Sequence, residues 1–208
     1  DRGFDEYYGC LSGSRSYWAY DELPKHDRGL MRNREVIAPE PDDYYFTDAL
    51  SDEAVDFIER HADEPFLLYV SYTAVHTPMH AKEEMLERHA DVKPARRQKL
   101  AAMTTSLDDG VGRILQALEA KDIEEDTIVI FVNDNGGATN NASSNGIYRG
   151  MKGSKWEGGI RIPYAMRWPG TLPAGSVFDH PVSTLDIVPT AVAAAGGHID
   201  PAAVDGVD

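Results

Sequence analysis

Apolar residues recur at helical spacing in three parts of the chain. In residues 47–63 and 95–121 they fall three or four positions apart, which places them on one face of a helix. They are Leu50, Ala54, Phe57 and Ile58 in the first stretch and Leu100, Met103, Leu107, Val111, Ile114, Leu115 and Leu118 in the second. Residues 183–196 predict a third helix, which Pro189 must either begin or kink because it lacks a backbone N–H.

Three continuous apolar runs are typical of strands: "FLLYVSY" at residues 66–72, "TIVIFV" at 127–132 and "IPYAMRW" at 162–168. Runs without polar alternation indicate strands buried on both faces, as in a parallel sheet covered by helices. The order of strand, helix and strand therefore predicts an α/β sheet with right-handed crossovers. The first 45 residues show no periodicity, and we expect them to form a long loop region of the kind that often builds binding sites.

Composition narrows the classes of function. The length of 208 residues fits one domain or most of one. The 20 Lys and Arg residues against 35 Asp and Glu give a net charge of −15, which argues against a groove for nucleic acid. No apolar run is long enough to span a bilayer. The single cysteine, Cys10, excludes an intramolecular disulfide and a Cys-rich zinc site.

Polar residues follow the second predicted strand directly, in "NDNGG". Ligands of open α/β sheets bind beyond the carboxyl ends of the strands. Asp134 and Asn135 offer a carboxylate and an amide oxygen there, which are hard ligands suited to Ca²⁺ or Mg²⁺. Gly136 and Gly137 allow the backbone to turn sharply beside an ion. An Asx-type turn that simply closes the strand is the alternative interpretation.

A histidine follows the first predicted strand in a similar position. His76 lies four residues beyond this run, and the Thr77-Pro78 sequence keeps the chain extended there. Such a histidine can donate a hydrogen bond to an anionic ester oxygen or protonate a leaving group. The alternative is an ordinary loop histidine. His80 on the same loop is a weaker candidate, for which we expect a structural role.

The glycine-rich stretch "NGIYRGMKGSKWEGGIRIP", residues 145–163, precedes the third predicted strand. Lys152 within it is a compact cation that can pair with a tetrahedral oxyanion, although a solvated basic loop would have the same composition. The spacing of a phosphate-binding P-loop is absent. A hard metal, a histidine and a lysine at one edge of one sheet fit the hydrolysis of an anionic ester.

Five blocks of the chain together resemble the type I, formylglycine-dependent sulfatases of the alkaline-phosphatase superfamily. They are "RGFDEYYGCLSGSRSYW", "PFLLYVSYTAVHTPMH", "TIVIFVNDNGG", "NGIYRGMKGSKWEGGIRIPYAMRWPG" and "STLDIVPTAVAAAG". The resemblance implies an α/β fold with a mostly parallel central sheet and helices on both faces, incomplete at both ends. It makes residues 1–208 a partial sulfatase catalytic domain, with a loop-rich, substrate-side region at 1–45 and an α/β core at 46–208.

The same resemblance assigns roles to individual residues. It implies that Asp134 and Asn135 bind Ca²⁺, or alternatively Mg²⁺, and that Lys152 and His76 contact the sulfate and take part in catalysis. The implied substrate is a sulfated small molecule or glycan, of the bacterial polysaccharide or glycosaminoglycan type rather than a steroid. Arg15 and Trp18, with Tyr17 between them, are expected either to contact a sugar or to pack the N-terminal loop. The implied location is periplasmic or secreted.

The chain departs from the family pattern at the nucleophile. Sulfatases of this type convert the first residue of Cys/Ser-x-Pro-x-Arg to formylglycine. Cys10 does not fit, because Ser12 and Ser14 occupy the proline and arginine positions, and no serine of the chain fits either. We therefore expect the formylglycine upstream of Asp1, and these residues alone to be inactive. A phosphodiesterase or phosphonate hydrolase of the superfamily and a non-catalytic protein that binds a sulfated glycan stay open as alternatives.

Overall fold

The computed structural model describes residues 3–20, 29–37, 40–41 and 43–208. Its strands are β1 (Tyr8–Cys10), β2 (Leu30–Arg32), β3 (Glu35–Ile37), β4 (Val129–Val132) and β5 (Tyr164–Arg167). Its α-helices are α1 (Phe46–His61), α2 (Glu83–Arg88), α3 (Ala95–Ala120), α4 (Glu157–Ile160) and α5 (Ile187–Ala194). Short 3-10 helices lie at Thr139–Asn141, Thr184–Asp186 and Pro201–Ala203. The structure combines α-helices with small β-sheets, in agreement with the predicted α/β class.

The two long helices form where the apolar spacing predicts them. Both turn their apolar stripes toward shared clusters of buried side chains: Ile58 of α1 packs with Leu118 of α3, and Leu50 of α1 belongs to a second cluster with Met103 of α3. Burial of these side chains contributes roughly 1.5–3 kcal/mol each. None of the helices in the described residues is long and apolar enough to cross a membrane.

The N-terminal region contains more regular structure than the sequence predicts. Strands β1, β2 and β3 form an antiparallel sheet in which Gly9 lies opposite Met31. Tyr17 and Leu30 are each 1% exposed and pack in the same cluster as Phe46 and Met103. The region predicted as loops at residues 1–45 thus contributes side chains to the core, while the division at residue 45 stays a prediction.

Residues 66–72 differ from the expected fully buried strand. They form no strand ladder with the described part of the chain, and their exposure alternates with a period of two. Phe66 and Leu68 pack against the cluster around Ile58, whereas Leu67 and Tyr69 are 72% and 74% exposed. The alternation is that of an extended chain with one packed face. The continuous apolar run therefore does not indicate burial on both faces here.

Strands β4 and β5 pair antiparallel, in contrast to the parallel order that the sequence predicts. Val129 lies opposite Arg167, and Val132 lies opposite Tyr164. Parallel neighbours need a crossover that packs across the sheet. The segment between β4 and β5 instead folds back on itself, and the N–H of Asn133 continues the pairing by donating to the carbonyl of Pro163 at 3.3 Å. The two strands are the base of a long hairpin.

The C-terminal helix begins before its proline. Ser183 and Asp186 form a capping box around the 3-10 turn, and α5 follows directly from Ile187. Pro189 lies in the first turn of α5, where backbone N–H groups have no partner within the helix. The missing N–H of the proline therefore costs no hydrogen bond. Pro189 thus lies at the beginning of the helix and does not kink it.

Candidate active site

The long hairpin brings two predicted site segments together. Asp134 and Asn135 follow β4, and Lys152 lies in the returning arm. The N–H of Gly136 donates to the carbonyl of Gly159 at 2.9 Å, and the N–H of Lys152 donates to the carbonyl of Gly137 at 3.1 Å. These backbone bonds hold the two arms side by side beyond the end of the β4–β5 ladder. The candidate metal ligands and the candidate cation therefore lie at one end of the hairpin.

Glycines permit the close approach of the two arms. A Cβ atom on Gly136 would lie 2.0 Å from the carbonyl oxygen of Gly158, and a Cβ on Gly158 would lie 2.4 Å from that of Gly150. Neither distance is possible for real atoms, so any side chain at these positions would push the arms apart. The glycines of the two hairpin arms thus allow their backbones to lie in direct contact.

Asp134 and Asn135 carry the oxygen atoms that a hard cation prefers. Asp134 is exposed and Asn135 is half-buried. Ca²⁺ takes about six to eight oxygen ligands, so these two residues supply only a part of a coordination shell. Groups of three or more His, Cys, Asp or Glu side chains able to hold a metal are absent from the described residues. The donor chemistry of the pair fits Ca²⁺ or Mg²⁺ as an incomplete set of ligands.

Lys152 presents a positive charge that the described part of the chain leaves without an ion pair. Its side chain is exposed. The nearby carboxylate of Glu157 is paired with Arg161 at 3.0 Å instead. An unpaired lysine at a turn is available to bind an anion, and it attracts a sulfate or phosphate oxygen as a compact point charge.

The ring of His76 is oriented by a hydrogen bond to the backbone. Its Nδ1 lies 2.7 Å from the carbonyl oxygen of Thr77, and because a carbonyl only accepts, Nδ1 carries the proton. In the neutral ring Nε2 is then the nitrogen without a proton. The side chain is exposed. His76 can therefore offer Nε2 to a ligand, as an acceptor when neutral and as a donor when protonated.

Two residues support the backbone around His76. Of these, the sequence predicts Tyr17 only as a sugar contact or a packing residue, and it does not identify Asn141. The hydroxyl of Tyr17 lies 2.8 Å from the carbonyl of Thr73 and 3.0 Å from that of His76, and Nδ2 of Asn141 donates to the carbonyl of Val75 at 3.3 Å. Burial raises the pKa of Tyr17, so its hydroxyl remains a donor at neutral pH. Asn141 follows the candidate metal ligands Asp134 and Asn135 along the chain and so links that segment to the His76 loop. Tyr17 lies within the first motif block and Asn141 lies between two blocks, and neither position reveals a long-range partner in the sequence.

Replacing Tyr17 by phenylalanine tests this support. The change removes the one hydroxyl proton that lies within reach of both carbonyls, while the Thr73 carbonyl keeps its bond from the N–H of His76. Loss of this partly buried hydrogen bond should lower the free energy of unfolding by roughly 1 kcal/mol. The measurement is denaturant unfolding of the full-length protein. Tyr69→Phe is the matched control, since Tyr69 is 74% exposed and its change should be within about 0.5 kcal/mol. Equal stability of the two variants would show that the Tyr17 hydroxyl does not hold this loop.

His80 packs against residues of the N-terminal region. Its Nδ1 is 3.4 Å from the hydroxyl of Ser16, and its ring contacts that of Tyr17 edge-on at a centroid distance of 6.3 Å. Burial, with a smaller contribution from Lys99, lowers the pKa of His80 below its ordinary value. The ring is therefore neutral at pH 7. This position favours the structural role that the sequence suggests.

Arg15 and Trp18 occupy different environments. The guanidinium of Arg15 lies 2.7 Å from both carboxylate oxygens of Glu40, and the arginine residue is 3% exposed. Its charge is satisfied inside the protein, which favours the packing role for Arg15 over contact with a sugar. Trp18 packs on Tyr45 at a centroid distance of 4.8 Å and is 38% exposed. Part of its ring surface is therefore accessible to a ligand.

The similarity of the chain to known proteins shows its family. A sequence model of the sulfatase family matches residues 1–197. The chain belongs to the sulfatase family. Among its relatives, human arylsulfatase H is 39% identical over 176 residues, which are 81% of this chain and 30% of that protein. Human steryl-sulfatase is 34% identical over 188 residues, which are 86% of this chain and 31% of that protein.

Solved structures, among them one of a sulfatase, show the same fold. A structure of Ps i-CgsB in complex with k-i-k-neocarrahexaose has a TM-score of 0.92 and 37% identity, and the match covers 99% of this chain and 49% of that one. The sulfatase PsFucS1 from Pseudoalteromonas sp. has a TM-score of 0.70 and 30% identity over 81% of this chain and 35% of its own. The chain thus spans about a third of the curated sulfatases and about half of the first of these structures. Its relatives are sulfuric ester hydrolases.

Proposed function

We propose that these residues form part of a sulfatase catalytic domain that hydrolyses sulfate esters, with a sulfated carbohydrate as substrate. The observation that carries the proposal is the hairpin beyond β4 and β5, whose backbone bonds bring the segment of Asp134 and Asn135 beside that of Lys152, a cation without an ion pair among the described residues. A metal with hard ligands next to a free ammonium group suits an anionic ester. The nucleophile in this proposal is a formylglycine supplied from outside these 208 residues.

Each proposed site residue has its own role in this reaction. Lys152 binds a sulfate oxygen and stabilises the negative charge that the transition state gathers there. His76 offers Nε2 to the ester oxygen that leaves and, when protonated, supplies its proton. Asp134 and Asn135 would hold Ca²⁺ or Mg²⁺, which would polarise the sulfate group. Tyr17 and Asn141 keep the His76 loop in place through its backbone carbonyls.

A carbohydrate substrate is supported by the neighbour that was solved with a neocarrahexaose, whose match covers 99% of this chain. Trp18 contributes a partly exposed aromatic ring, and such a ring can stack on the apolar face of a sugar. We place the enzyme in the periplasm or outside the cell, where polymeric glycans are found.

The test measures sulfate release and nucleophile formation in the full-length protein. We expect free sulfate from a sulfated oligosaccharide, a much higher kcat/KM on aryl sulfates than on aryl phosphates, and a formylglycine-containing peptide by mass spectrometry. A preference for phosphate esters would favour a phosphodiesterase or phosphonate hydrolase. Glycan binding without sulfate release, together with no formylglycine peptide, would favour a binding protein without catalytic activity.

A further inference from the structure

One side chain joins the two arms of the hairpin directly. The N–H of Gly137 donates to Oδ1 of Asn145 at 2.7 Å. Nδ2 of Asn145 donates in turn to the carbonyls of Gly137 and Gly150, each at 3.1 Å. Gly137 follows the candidate metal ligands, and Gly150 precedes Lys152 by two residues. Asn145 therefore contacts the backbone of both segments that carry the site.

Only an amide of this length makes all three hydrogen bonds. Oδ1 accepts one bond and both protons of Nδ2 are used, so the donor and acceptor ends of the group are both occupied. An aspartate would keep the bond from Gly137 N–H but would place an oxygen opposite two carbonyl oxygens. An alanine would remove all three bonds. The backbone bonds from Lys152 N–H to the carbonyl of Gly137 and from Gly136 N–H to that of Gly159 would then still link the two arms.

We propose that Asn145 is a positioning residue that fixes the separation between the metal-binding segment and Lys152. The inference rests on the proposed function, because it takes Asp134 and Asn135 as metal ligands. A metal ligand is aligned by the hydrogen bonds of the backbone and side chains around it, and losing such support typically costs about 10- to 100-fold in metal affinity or activity. Asn145 acts here through the backbone of Gly137, two residues beyond Asn135.

The test compares Ca²⁺ binding by the full-length protein and its variants, measured by calorimetry on metal-free protein. Asn145→Ala should weaken Ca²⁺ binding by about 10- to 100-fold and lower kcat on an aryl sulfate, since both segments shift. Asn145→Asp has nearly the same volume and retains the bond from Gly137, so it provides a folded variant if the alanine change prevents folding. We expect it to weaken binding as well.

Ser144→Ala is the matched control, because Ser144 is exposed and its hydroxyl accepts a hydrogen bond from Gly146 N–H within the same turn. It should bind Ca²⁺ like the wild type. Wild-type affinity in Asn145→Asp, with a lower unfolding temperature, would overturn the inference and leave a purely structural residue. If the Asp134→Ala variant binds Ca²⁺ as tightly as the wild type, the proposed metal site is wrong, and the inference falls with it.

Discussion

Lys152→Ala in the full-length enzyme is expected to lower kcat on a sulfate ester by about 100- to 1,000-fold, the usual loss when a preorganised group that stabilises transition-state charge is removed. The side chain is exposed, so little stability should be lost with it. The measurement is steady-state kinetics on an aryl sulfate, with thermal unfolding as the check on folding.

Lys155→Ala is the control for this change. Lys155 lies three residues further along the same loop and is also exposed, so the variant removes the same charge from the loop. Its kcat should stay within a few-fold of the wild type. Equal losses in the two variants would mean that the net charge of the loop, rather than the position of Lys152, attracts the substrate.

Asp134→Ala is expected to remove Ca²⁺ binding and to reduce kcat by at least about 100-fold. Losing a residue that supports a metal ligand typically costs about 10- to 100-fold in metal affinity or activity, and losing the ligand itself should cost no less. Asp126→Ala is the matched control, because Asp126 precedes β4 and is exposed at the opposite end of the same strand. Calorimetry gives the affinity, and assays over a range of Ca²⁺ concentrations show whether excess metal restores activity. Full activity of Asp134→Ala in the presence of a chelator would exclude a metal at this position.

The helices of this fold are predictable from the sequence, whereas the pairing of its strands is not. The spacing of Leu100, Met103 and Leu118 fixes a helical face locally, and α3 follows it closely. Strand direction depends on the path of the connecting chain, and the segment between β4 and β5 folds back through contacts that composition does not show. For residues 66–72, hydrophobicity indicates an extended conformation but does not reveal whether a neighbouring strand covers it.

The candidate site likewise contains residues that the sequence identifies and others that only the structure reveals. Asp134, Lys152 and His76 are visible in the sequence because their chemistry differs from that of the runs beside them. The burial of Arg15 depends on Glu40, which lies 25 residues away along the chain. The role of Asn145 likewise depends on two backbone carbonyls that only the folded hairpin brings within reach. Candidates for direct contact with a ligand can thus be proposed from sequence, whereas the side chains that would position them depend on distant contacts.

The hydrogen bond from Asn145 to Gly150 also closes the base of a short tip at residues 146–149. Ile147 at this tip is 94% exposed. Because the cost of closing a loop rises slowly with its length, residues inserted at the tip would extend into solvent while both ends stay fixed. The tip can therefore vary in length and composition while the hydrogen bonds of Asn145 at its base are preserved.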